Sequence, residues 1–141
     1  MRIARTMFGM ALAVASPALA DDLDKSLCAV RNKSQAQEAI AACTRLINDR
    51  ATLGDDRIFA LNDRARHWSV LGDEKRKNDD SIAILRLPAG SGKAYRLRVA
   101  GRKLLNDEGS IIEDFTQAIR REPAEPGDYY WRARVFGPTG P

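Results

Sequence analysis

One feature constrains this chain more than its composition does: a pattern that returns at a fixed interval. The stretches LNDRARHWSVLGD (61–73), YRLRVAGRKLLND (95–107) and YYWRARVFGPTG (129–140) share one register, and the step from the first to the second equals the step from the second to the third. Leu61, Tyr95 and Tyr129 align, as do Arg64, Arg98 and Arg132, and so do the small residues Ala65, Val99 and Ala133. Self-similarity at a fixed period marks a structure that stacks one supersecondary unit on the next. A second element follows the first. Ser110 to Arg121 reads SIIEDFTQAIRR, with Ile111, Ile112, Phe115, Ala118 and Ile119 at helical spacing, and Pro123 stops it. Upstream, QEAIAACTRLI (37–47) has the same pattern, with Ala39, Cys43 and Leu46 matching Ile111, Phe115 and Ala118.

These residues resemble the tetratricopeptide repeat, whose unit of about 34 residues is two antiparallel helices with an aromatic–Leu–Gly–Tyr / Ala–Phe–Ala–Pro pattern. The fullest copy is Gly92–Glu125. Tyr95 stands in the first aromatic slot, Phe115 and Ala118 in the packing slots of the second helix, and Pro123 in the terminal slot. Asp107 matches the acidic turn residue, with Asn106 where glycine is usual. Arg102 departs from the pattern by filling an aromatic slot, and Ile111 by filling one normally kept small. The copy from Ile58 keeps Leu61, Ala65, Trp68 and a Gly72-Asp73 turn. Its second helix is poorer, because EKRKNDDS (74–81) has no apolar stripe. The resemblance spans roughly residues 34–136. It implies an all-α fold, a short right-handed α-solenoid of helix hairpins with about three to three and a half repeats.

The expected division is a leader at 1–20, an N-terminal helix pair at 21–57, repeats at 58–91 and 92–125, and an incomplete repeat or capping helix at 126–141. Helices are expected at Asp24–Arg31, at Gln35–Asn48 (capped by Ser34, with Gln37 in the reciprocal position), at Ile58–Leu71 and at Glu74–Leu85. Further helices are expected at Lys93–Leu105, at Ser110–Arg121 and from Pro126 or Asp128 to Gly137.

The first twenty residues, MRIARTMFGMALAVASPALA, carry Arg2 and Arg5, a short apolar run and Ala18-Leu19-Ala20 before Asp21. That order is a secretory signal peptide cleaved after Ala20. The apolar run is about half the ~20 residues a spanning helix needs, so no membrane insertion is expected after cleavage. The mature chain would be periplasmic or secreted. Its 21 basic and 19 acidic residues leave a net charge of only +2, which together with export argues against a nucleic-acid partner. The whole chain is 44% hydrophobic, 30% charged and 6% aromatic, which excludes a low-complexity tail and a polytopic membrane protein. In an oxidising compartment the two cysteines, Cys28 and Cys43, read as a structural disulfide, since a redox pair would favour Cys-x-x-Cys.

No reaction centre stands out. His67 is the only histidine, without a ligand-spaced neighbour, and reads as a packing or surface residue. LPAGSGKAY (87–95) suggests a phosphate loop, but Leu87 replaces the first glycine and Ala94 the hydroxyl residue, so it reads as an inter-repeat loop. Asp21, Asp22 and Asp24 lack the glycine and terminal glutamate of a calcium loop. The pairs Asp55-Asp56 and Asp79-Asp80 read as turn and surface residues. The chain is therefore read as no enzyme, with no metal or cofactor.

What the resemblance implies instead is a concave face lined by first helices. Its positions include Phe59, Asn62 and Arg66, then Lys93, Arg96 and Lys103, then Tyr130 and Arg134. Five of the eight are basic and none is acidic, which suits an acidic peptide or a C-terminal carboxylate, although the complete clamp some relatives use is not reproduced. The last helix presents Tyr129, Tyr130, Trp131, Val135 and Phe136, too apolar for a solvated cap. The leading reading is an exported interaction module or scaffold. The alternatives are an envelope assembly subunit docking through its C-terminal helix, and a truncated remnant of a longer repeat protein.

Overall fold

The computed structural model describes residues 16–123 and 125–137, and these form seven α-helices and two short 3₁₀ turns with no strand among them. Residues 1–15, which hold most of the expected leader, lie outside the described residues. The helices are α1 (Pro17–Cys28), α2 (Ala36–Asn48), α3 (Gly54–Val70), α4 (Glu74–Ala83), α5 (Gly92–Leu104), α6 (Glu108–Arg121) and α7 (Pro126–Phe136). Each packs most extensively on its neighbours in the chain.

The largest departures from the sequence expectation are at both ends of α1, at the cap before α2 and at the start of α3, which begins at Gly54 rather than Ile58. Helix α1 starts at Pro17 and ends at Cys28, instead of running from Asp24 to Arg31. Proline fixes φ near the helical value and has no N–H to leave unpaired in the first turn, so Pro17 initiates a helix where the sequence suggests the end of a leader. After Cys28 the chain is recaptured by Asn32, whose side chain accepts from the Ser34 N–H at 3.1 Å and opens a 3₁₀ turn at Lys33–Gln35. Asn32 thus caps the turn that leads into α2, and Ser34 does not cap the helix, whose own N-cap is Gln35.

The turns after α3 and α5 are the same turn, one period apart. Gly72 (φ 79°) and Asn106 (φ 54°) both take the left-handed conformation. Asparagine is one of the few side chains that tolerates it, which is how it can stand for the usual glycine. The next residue then closes the turn twice. The Asp73 N–H donates to the Trp68 carbonyl at 2.9 Å, and the Asp107 N–H to the Arg102 carbonyl at 3.1 Å. Their side chains cap the following helices, accepting from the N–H groups of Arg76 (3.0 Å) and Ser110 (3.2 Å).

A buried ion pair recurs at the same interval. Arg64 of α3 donates to Asp80 of α4 through Nε at 2.9 Å and Nη2 at 2.6 Å, and reaches back to Thr44 of α2 at 3.0 Å. Arg98 of α5 meets Asp114 of α6 at 3.3 Å, with Arg102 adding a second guanidinium at 3.4 Å. Burial pushes the Asp114 carboxyl above the usual range, more than those two guanidiniums lower it. The pairs explain how α4 packs without an apolar stripe: it buries Asp80 and Ser81, and the apolar anchor, Ile84, comes from the 3₁₀ turn that follows.

The core is a chain of small clusters rather than one centre. Cys28, Ala42, Cys43, Leu46 and Ala60 form the first, and Ile58, Leu61, Ile84 and Ala94 the second. Val99, Ile111 and Phe115 form the third, with Val135 of α7 against it. Cys28 and Cys43 are joined by a disulfide that ties α1 to α2. His67 is buried beside it, with Nε2 2.9 Å from the Cys28 carbonyl oxygen, which fixes that nitrogen as the donor.

Asp55, in the first turn of α3, reaches across to the loop before α5 by accepting from the N–H groups of Gly90 (2.7 Å) and Ser91 (2.9 Å). The amides that a phosphate loop would aim at its ligand are therefore already occupied. Burial alone would raise this carboxyl. The hydrogen bonds from Ser91 and Gly90, with Arg121 nearby, outweigh it and hold Asp55 below the usual range. A lowered carboxylate stabilises the folded form above its unfolded pKa, about 4, and loses that contribution as pH falls through the folded value. Asp55→Asn is therefore expected to cost about 1–2 kcal/mol at neutral pH. Its deficit in urea titrations should shrink below about pH 4. A deficit independent of pH would refute this role.

Candidate binding groove

A cavity of about 420 Å³ opens between α3, α4 and α5. Asn62, Ala65, Arg66 and Ser69 line it from α3, Lys77 and Ser81 from α4, and Ala100, Lys103 and Leu104 from α5. Helical spacing puts the α3 set on one stripe, since residues three and four apart share a face. Arg66, Lys77 and Lys103 bring three cations around a partly apolar hollow.

Two of these cations already have carboxylates. Arg66 holds Asp63 at 2.6 Å and donates to the Val30 carbonyl at 3.1 Å, while Lys77 pairs with Glu74. Lys103 has no carboxylate partner among the described residues. Its ammonium lies 5.0 Å from the centre of the Trp131 ring. Such a cation stays available to an anion while the ring orients it.

The eight residues expected on the concave face therefore divide. Asn62, Arg66 and Lys103 come together on this cavity. Lys103 leads on through Trp131 to Arg134 and Tyr130, where Arg134 Nη1 donates to the Tyr130 hydroxyl at 3.0 Å and the guanidinium lies 5.4 Å from the Trp131 ring. Phe59 and Lys93 form a separate cation–π pair at 4.6 Å, away from the cavity lining.

Arg96 is committed internally. It donates to Asp128 at 2.7 Å and to Glu122 at 2.7 Å, and reaches the Glu122 carbonyl at 3.2 Å. Asp128 is only 4% exposed, and the hydrogen bond from Arg96 holds the Glu122 carboxyl below its usual range. The face is thus less cationic than the expected groove residues alone imply, because Asp63 on α3 itself and Glu74, Glu122 and Asp128 from other elements pair with its cations. Lys77 escapes sequence reasoning, since EKRKNDDS looks like a solvated surface run and only the closeness of α4 to α5 turns it inward.

Among the described residues, no group of three or more His, Cys, Asp or Glu is placed to hold a metal ion, and no helix is long and apolar enough to cross a membrane. The chain matches no family model, no curated protein and no solved structure.

Proposed function

We propose that this chain is an exported interaction module of the tetratricopeptide-repeat type, a short right-handed solenoid that binds an acidic peptide segment without turnover. The recurrence of the turn and of the buried ion pair at one fixed interval supports the repeat reading. The observation that carries the binding reading is the convergence of Arg66, Lys77 and Lys103 with Asn62 on one hollow that also has apolar walls from Ala65, Ala100 and Leu104. Cations with apolar surface between them suit a segment that alternates carboxylates with small apolar side chains.

The test is fluorescence anisotropy with a labelled acidic peptide and its Glu→Gln twin, at low and physiological salt. The acidic peptide should bind more tightly and weaken with salt. The triple variant Arg66→Ala, Lys77→Ala, Lys103→Ala should lose about tenfold or more, at a few tenths to one kcal/mol for each exposed pair. Equal affinity for the two peptides, or an affinity unchanged in the triple variant, overturns the reading.

A further inference from the structure

Helix α7 stands one period after α5 and keeps its tyrosine and arginine (Tyr95 and Tyr129, Arg98 and Arg132), yet one of its faces is left largely uncovered. Toward the preceding hairpin the two helices behave alike. Ala94 and Gly101 of α5 are buried, and their counterparts one period on, Asp128 and Val135, are packed as well. Asp128 holds Arg96, and Val135 rests on the Val99, Ile111 and Phe115 cluster.

The adjacent face of α5 carries Tyr95, Arg98 and Val99, and α6 packs there. Val99 meets Ile111 and Phe115, while Arg98 takes the buried Asp114. In the hairpin before it, Arg64 takes the buried Asp80 of α4, there through two hydrogen bonds. The step along the chain from arginine to aspartate is the same in both hairpins.

The corresponding residues of α7 are Tyr129, Arg132 and Ala133, and they are already arranged alike. The Arg132 guanidinium lies 5.7 Å from the Tyr129 ring, as that of Arg98 lies 5.6 Å from Tyr95. No second helix packs over them among the described residues, although Arg132 is half-buried. Tyr129 is 43% exposed and Ala133 is exposed. Arg132 has no carboxylate within salt-bridge distance among the described residues.

We propose that this face of α7 is a docking site for an amphipathic helix of a partner protein, one that brings an aspartate to Arg132. The occupants of the two equivalent faces set the pattern. Asp80 is followed by Ser81 and Ile84, and Asp114 by Phe115 and Ala118. The partner helix therefore carries an aspartate with small or apolar residues one and four positions after it, so that all three lie on its buried side. Charge complementarity selects this occupant over a purely apolar one, which would bury Arg132 without a counter-charge. The site is distinct from the groove and stands or falls separately from it.

The probe is a synthetic peptide with the sequence of residues 107–123, DEGSIIEDFTQAIRREP, titrated into the full chain and followed by backbone amide NMR shifts. Saturable shifts centred on Tyr129, Arg132 and Ala133 are expected. Arg132→Ala in the protein should weaken binding by at least about tenfold, and so should Asp114→Asn in the peptide. The two changes together should cost little more than either, because they remove the same pair. Arg134→Ala, which alters the side facing Trp131, should leave the affinity unchanged, and an unchanged melting profile shows that Arg132→Ala still folds. Absence of saturable binding, an affinity indifferent to Arg132, or shifts centred on α5 (exchange with the chain's own α6) would each overturn the proposal.

Discussion

Gly101→Ala is expected to destabilise the protein by about 2–3 kcal/mol, although alanine is the better helix former by about 1 kcal/mol. A Cβ built on Gly101 would stand 2.3 Å from the Ser81 carbonyl oxygen and 3.1 Å from Leu85 Cγ. The Ser81 oxygen is main chain, so no rotamer change relieves the contact. Helix α4 has to move away from α5, and that displacement opens the cluster of Ile58, Leu61, Ile84 and Ala94 between them. Urea denaturation followed by circular dichroism should show the loss, and the melting temperature should fall by about ten degrees. A neutral or stabilised variant would mean that the two hairpins slide freely, and that the approach at Gly101 is not what sets their spacing.

Opening the Cys28–Cys43 bridge should have a comparable effect, about 3 kcal/mol for a loop of 15 residues closed in the unfolded chain. Both cysteines are buried, and the carbonyl of Cys28 receives His67 of α3, so the bridge fixes the surface on which α3 rests. Apart from it, α1 rests on α2 through Leu27, which packs against the Cys28, Ala42, Cys43 and Leu46 cluster, and through Asp24, which accepts from Arg45 at 2.8 and 2.6 Å on an exposed edge. Pairs of that kind contribute little in water. Comparing oxidised and reduced protein by chemical denaturation measures the total. Amide exchange locates it: protection should fall first in α1 and α2 while α5 and α6 hold theirs. A reduced protein as stable as the oxidised one would assign the N-terminal end to packing alone.

The parts of this fold legible in the sequence are those encoded within one period. The left-handed turn can be read at Gly72 and Asn106, and the caps at Asp73 and Asp107, because each depends on residues a few positions apart. The cysteine pair can be read from its count and spacing. The recurring ion pair is half legible. Arg64 and Arg98 are visibly periodic, and the same interval links Asp80 to Asp114, but an aspartate in a polar run looks like surface until its arginine faces it.

What is not legible depends on approach between elements. Arg96 looks like a groove cation until Glu122 and Asp128, which belong to the next loop and helix, come within 2.7 Å of it. Lys77 looks solvated until α4 lies beside α5. The early start of α1 is hidden for another reason: a proline that initiates a helix occupies the same place as one that ends a leader.

Packing restricted largely to chain neighbours also decides how this molecule yields to load. A ball-shaped domain pulled at one terminus resists as a whole until its centre gives way. Here tension on the C-terminal segment bears first on α7, at Val135 and at the Arg96–Asp128 bridge, and that layer is expected to give way before the hairpins behind it. Helices are then expected to detach in turn from the C-terminal end as far as the disulfide-tied pair α1 and α2, and, because the lost contacts are short-range, to re-form in the reverse order when the pull is released.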